Sequence, residues 1–383
     1  MDLTRVLGAR VRAAAAGCAV LVGAALLGSC SSADSPVRIG IAGPFSQPRG
    51  QSMLLAARLA VREINESGGI RGRQLELIER DDSAQTSVAI AIAQYFRDST
   101  DVVAVIGHLT SGTTIAAADI YNGGRNPVVE ISPSASNPDL TGIGRFTFRV
   151  CATDLVHGTA LANFAFQQLN ARTAAIIYLN DDYGRGILGT FSQDFLGLGG
   201  TIISADPVLP SLRDLSPYLE RIQRSGRAQV IMVAGDRATA SQVLRQARAR
   251  GINLPIIGGD GLSGIEGDGP IAEGVYLTSN YLPEMPGEAN QRFLQAYAAA
   301  YNGARPDHRG AGAYDALRLI AAAVERAGTN RERVRDALAA VNADNPYEGV
   351  TGRIAFDDRG DVPDKRVVIG VVRSGRITLA ESR

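Results

Sequence analysis

The sequence predicts an α/β protein of two doubly wound lobes with mostly parallel sheets. Three observations carry this prediction: apolar strand-like runs alternate with helical periodicities from Val37 onward, the alternation starts again near Cys151, and the strand exits are polar or rich in glycine. In such sheets ligands bind beyond the carboxyl ends of the strands. The exits at 107–114, 132–136, 181–184, 235–237 and 258–261 are therefore the segments where a site is expected.

VRIGIAGPF, from Val37, reads as a strand ending in a Gly-Pro turn. A helix over 51–67 follows, with Met53, Leu54, Ala57, Val61 and Ile64 on one face and Gly68-Gly69 as its stop. RQLELIERDD is a strand ending in two acids, and 83–97 is a second helix carrying Val88, Ile92 and Phe96. Val102, Val103, Val105 and Ile106 then form the near-continuous apolar run of a strand covered on both faces. After Gly107, the hydroxyls of Thr110, Ser111, Thr113 and Thr114 open a helical pattern. Hydroxyls and free backbone N–H groups at a helix N-terminus make a seat for a carboxylate or phosphate, although Ser111 can also be read as a simple N-cap. PVVEISPSASNPDL is a strand that leaves into a hydroxyl-rich loop.

The second unit repeats the alternation. Thr153 or Asp154 caps a helix to Leu169, AAIIYLN is a strand, and NDDYGRG turns into a helix over 187–198. TIISADPVLP, a helix over 215–225, QVIMVAG, a helix over 239–250 and LPIIGGDG follow. After GVYLTSN come helical patterns at 287–301, 312–327 and 331–341, then GVTGRIAFDDRGD and the strand RVVIGVVR.

Residues 1–29 read as a secretory signal: Arg5, Arg10 and Arg12 precede an apolar run over 13–28 that is too short to span a membrane. Leu27-Gly28-Ser29-Cys30 resembles the bacterial lipobox, which makes Cys30 the expected lipidated N-terminus and 30–36 its tether, outside the cytoplasm. Removing three arginines and one aspartate with the signal, from 39 charges of each sign, leaves a net charge of about −2. The absence of a basic block argues against nucleic acid or a polybasic membrane surface as partner. Cys18 leaves with the signal, so Cys151 has no partner for a disulfide.

Asp260 lies in GGDGLSG, which matches G-x-G-x-x-G, but Gly267, Gly269 and Pro270 forbid the helix that a dinucleotide would need. An acid flanked by glycines at a strand exit suits a ligand cation instead. His108, His157 and His308 are scattered without metal-ligand spacing, and no nucleophile elbow or acid–base pair occurs. No cofactor, metal or catalytic activity is expected.

With these residues in view, the chain resembles the substrate-binding proteins of ABC transporters for branched-chain amino acids, which have the type I periplasmic-binding fold. LAVREINESGGIRGRQLELIERDD, VVAVIGHLTSGTT, ISPSASNPDLT, FRVC, LRQARARG, GGDGL, AEGVY and GVTGRIAFDDRGD occur in the family's order. The resemblance implies two lobes joined by three chain crossings, one of about 37–150 plus 278–351 and the other of 151–277 plus 352–383. It implies that Ser111 and Ser136 hold a ligand carboxylate, that the loop at Ser134 and Ser136 and the acid Asp260 hold an ammonium, and that Tyr183 closes over the ligand. It also implies a monomer that hands a small amino-acid-like solute to a membrane permease; a sensory module read by a receptor is the alternative. Two aromatics of the family are replaced here, one by Asp236 with Arg237 beside it and one near Arg49, and Thr110 stands at a half-cystine position of some members. His108, Thr110, Arg49 and Arg237 are thus further candidates to line the ligand. Asp236 and Arg49 either meet a ligand more polar than leucine or pair with each other at the rim.

Overall fold

Residues 35–380 are described by a computed structural model. The expected signal, Cys30 and the tether up to residue 34 lie outside the described residues.

The first sheet contains β1 (Val37–Gly43), β2 (Leu75–Asp81), β3 (Val102–Ile106), β4 (Val129–Ser132) and β5 (Thr147–Arg149), in the order β2-β1-β3-β4-β5 and parallel throughout. The apolar run of β3 is buried at all five positions because helices cover both faces. On one face lie α1 (Pro48–Glu66) and the three helices of the later chain; on the other lie α2 (Thr86–Asp98) and α3 (Ser111–Asn122).

The second sheet has the order β14-β13-β10-β9-β8-β6-β7. Its parallel part is β6 (Thr173–Leu179), β7 (Thr201–Val208), β8 (Val230–Ala234), β9 (Ile256–Gly258) and β10 (Tyr276–Ser279). A small hairpin, β11 (Tyr347–Gly349) and β12 (Gly352–Ile354), precedes the antiparallel edge strands β13 (Val368–Arg373) and β14 (Arg376–Leu379). Helices α4 (Asp154–Asn163) and α5 (Asp182–Gly197) cover one face of this sheet, and α6 (Ser216–Ser225) and α7 (Arg237–Ala249) the other. Helices α8 (Glu288–Ala300), α9 (His308–Ala327) and α10 (Arg331–Ala339) return to the first sheet, where Phe293, Leu317 and Val334 join its core.

Several helices begin earlier than the apolar periodicity indicated, because an acid ahead of the apolar face is itself the cap. Asp181, Asp236 and Asp307 each accept a backbone N–H of the first turn, starting α5, α7 and α9 two to five residues ahead of the expected 187, 239 and 312. Helix α2 begins late, since Ser83 and Ala84 have positive φ. The helix expected to run from 153 to Leu169 changes to a π turn over Phe164–Gln168. The last boundary also differs from the expected 351/352: Ile354, Phe356 and Val362 pack in the first lobe's core, so the third crossing comes after Val362.

Candidate functional site

Parallel register aligns the carboxyl ends of the strands, and both sets of ends face one cleft. Ile41, Ile106 and Ile131 are cross-strand neighbours in the first sheet, as are Tyr178, Ala234 and Val233 with Gly258 in the second. The lobes touch across the cleft. Asn137 Nδ2 donates to the Asp182 carbonyl at 2.5 Å, and Arg49 Nη1 lies 3.7 Å from Asp236 Oδ2.

Thr110, not Ser111, is the N-cap of α3: its Oγ1 accepts from Thr113 N. Ser111 occupies the first helical position, buried, with its Oγ accepting from Asn137 N at 3.3 Å. That bond joins the helix start to the loop carrying Ser134 and Ser136. Ser134 Oγ meets His308 Nε2 at 3.4 Å, and Ser136 Oγ is buried without a hydrogen-bond partner.

Asp260 opens a short 3₁₀ turn, Asp260–Leu262, and is 2 % exposed. Tyr183, in the first turn of α5, donates its hydroxyl to Asp260 Oδ1 and accepts from Gly261 N, both at 2.9 Å. Asp260 Oδ2 has no hydrogen-bond partner; His308 Nε2 lies at 3.4 Å and His157 Nε2 at 3.9 Å. Burial opposes ionisation of Asp260, but the two histidines, Arg309 and the Tyr183 hydroxyl hold its carboxyl below the usual range. Burial alone pushes His157 down, and burial with the adjacent Arg309 takes His308 to about 4, so both rings are neutral at pH 7.

His108 does not face the cleft. Its ring is fully buried, with Nδ1 2.7 Å from Asp82 Oδ2 and Nε2 3.3 Å from the Tyr121 hydroxyl, so it ties β3 to the loop after β2. Asp236 caps α7 through Oδ1, taking both the N–H and hydroxyl of Thr239, and turns Oδ2 toward Arg49. Arg237 Nη2 bonds Asp268 Oδ1 at 2.9 Å. Arg49, Asp236 and Arg237 line an open cavity of about 660 Å³ that begins at Gly261 and Ser263, beside Asp260; Ser111, Ser136 and Asp260 lie outside its wall.

Three residues of the site were not legible as such. Asp154, read only as a possible cap, is buried with both carboxylate oxygens unpartnered, and burial pushes its carboxyl up to about 8, with the charge of Asp260 adding to the effect. Gly186 permits this: a Cβ there would stand 2.3 Å from Asp154 Oδ2. His308 arrives from a helix of the other lobe and bridges Ser134 to Ser263. Arg149 is 1 % exposed and grips Asp361 through Nε and Nη2 at 2.6 and 2.9 Å, while Nη1 donates to the carbonyl of Asn137 at 2.8 Å. It anchors the loop that presents Ser134 and Ser136. Cys151 is buried and free, and among the described residues no metal-ligand cluster and no helix able to cross a membrane is present.

A cleft between two parallel sheets, with buried hydroxyls at one wall and a buried acid at the other, is the setting in which the family comparison decides. The family described as periplasmic binding protein matches residues 36–376. The chain belongs to this family. The Leu/Ile/Val-binding protein homolog 1 of Brucella abortus is 29 % identical over 347 residues, covering 88 % of this chain and 91 % of that one. Among solved structures, the branched-chain amino acid transporter substrate-binding protein LivJ of Streptococcus pneumoniae, in complex with isoleucine, superposes with a TM-score of 0.81 at 29 % identity, covering 91 % and 99 % of the two chains. The ABC transporter substrate-binding protein of Desulfitobacterium hafniense in complex with Leu reaches 0.79 at 32 % identity, covering 90 % and 100 %. Periplasmic binding proteins bind solutes outside the cytoplasm and are not enzymes. The architecture above is their type I fold.

Proposed function

We propose that this periplasmic binding protein, anchored by a lipid on Cys30, captures an amino-acid-like zwitterion between its lobes and delivers it to the permease of an ABC transporter. The amino-acid ligands named for its relatives support this reading. So does one feature of its own cleft: Oδ2 of Asp260 is buried without a hydrogen-bond partner, and the buried Asp154 carboxyl has only the Ser136 hydroxyl beside it. Buried polar groups left unpaired are costly, and a ligand ammonium supplies donors for them. The ligand carboxylate takes the Ser111 hydroxyl and the N-terminus of α3, where helical N–H groups lack partners. Closure shuts water out and strengthens both sets of contacts.

Calorimetric titration of ligand-free protein tests the assignment. Asp260→Asn should weaken binding of ligands with an α-ammonium, and Ser111→Ala those with an α-carboxylate, each by about 1 to 3 kcal/mol. Unchanged affinity in both variants would discard the site.

A further inference from the structure

Outward of the proposed seat the cleft opens into the 660 Å³ cavity, where charged residues predominate in the lining although their aliphatic stems supply much of its surface. Five arginines and three aspartates line it, an excess of two positive charges. The acids are already engaged. Asp268 is held by Arg237 at 2.9 Å and faces Arg245 at 3.7 Å. Asp307 takes the N–H groups of Arg309 and Gly310 and the Arg309 guanidinium at 2.8 Å. Asp236 spends one oxygen on Thr239 and meets Arg49 only at 3.7 Å. The arginines keep donors in reserve. Arg49 directs Nε to Gln47 but makes no hydrogen bond through its terminal nitrogens among the described residues, and Arg213 has neither an ion pair nor a side-chain hydrogen bond there. Burial, offset by Asp236 and reinforced by Arg309, lowers Arg49 from its usual value, as expected of a guanidinium without a full counter-charge.

We infer that the cavity receives the anionic end of the ligand, so that the captured solute is an amino acid whose side chain carries a carboxylate. This rests on the zwitterion reading above. Arg309, 7 % exposed in its side chain, touches the backbone carbonyl of Asp260 at 3.4 Å and so stands where the side chain would leave the seat. Arg49 lies farther out, on the side of Asp236. A leucine-like chain would cover the terminal nitrogens of Arg49, which have only Asp236 at 3.7 Å, without offering them an acceptor, and a cationic chain would meet the excess of positive charge. A carboxylate takes planar, charge-assisted hydrogen bonds from arginine. The volume admits chains longer than that of glutamate.

The test uses full-length protein freed of endogenous ligand by unfolding and refolding, titrated with L-glutamate, L-2-aminoadipate, L-glutamine, L-leucine and glutarate. At least one of the two acidic amino acids should bind ten times or more tightly than glutamine and leucine. That ratio should fall with added salt and shrink severalfold in Arg49→Gln and in Arg213→Gln, either variant sufficing should the other misfold. Leucine or glutamine bound as tightly as the acids would overturn this inference and leave the zwitterion reading standing. Glutarate bound as tightly as the amino acids, or no amino acid bound at all, would overturn both.

Discussion

At the inner end of the cleft, Asp154 and Asp260 keep carboxylate oxygens without hydrogen-bond partners and form no ion pair with an arginine among the described residues; at the outer end, Asp307 is held by Arg309 and Asp268 by Arg237 through Oδ1, its Oδ2 lacking a hydrogen bond with Arg245 at 3.7 Å. The inner acids are buried, with neutral His157 and the serines close by and Arg309 acting on Asp260, whereas the outer wall is open to solvent and dense in charge. The difference teaches how one cleft can separate two tasks. On the proposed function, the buried acceptors and hydroxyls read the common part of a ligand, its ammonium and carboxylate. On the same reading, charges at the rim read what varies, since exchanging rim residues costs little stability.

The comparison makes the inner chamber the part that the fold must brace, and this can be broken from behind. Arg149→Met removes a buried, bidentate partner of Asp361 and two donors to the loop of Ser134 and Ser136. Leaving Asp361 uncompensated should cost about 3 to 5 kcal/mol in urea unfolding; Arg245→Gln at the outer rim should cost under about 1 kcal/mol. Equal losses would erase the distinction.

Acid sharpens it further. Burial and Arg309 lower His308 from 6.5 to about 4, so its contribution to stability is complete above pH 6.5 and is lost as pH falls toward 4, where the unfolded chain binds the extra proton. Asp154 works in the opposite sense. Its carboxyl is raised from 3.8 to about 8, so its contribution is present at low pH and is lost as pH rises through 8. Comparison with His308→Gln isolates the histidine: between pH 7 and pH 4.5 the wild type should lose about 2 to 3 kcal/mol more than the variant. Parallel curves would show that His308 titrates freely.

Much of this was legible in the residues. The alternation of strands and helices, the hydroxyls after Gly107, and Asp260 between glycines are local patterns, and the structure puts them at aligned strand exits. Arg149 was not legible, because nothing in FRVC distinguishes an arginine buried against Asp361, 212 residues away, from one on the surface. Asp154 reads as a cap because helix starts favour acids; its burial depends on Gly186 approaching from a different helix. His308 and Arg309 reach Asp260 only because α9 returns from the other lobe, so no short-range spacing announces the cluster. The choice left open for Arg49 and Asp236 is resolved in part: they face each other, at a separation long for an ion pair.

The central claim is that the inner chamber reads two opposite charges on one small molecule. Titrating ligand-free protein with the tightest-binding amino acid, its α-amide and its des-amino analogue tests this most directly. The account predicts that loss of either charge weakens binding at least thirtyfold, about 2 kcal/mol. Equal affinity for the intact amino acid and either analogue would contradict it.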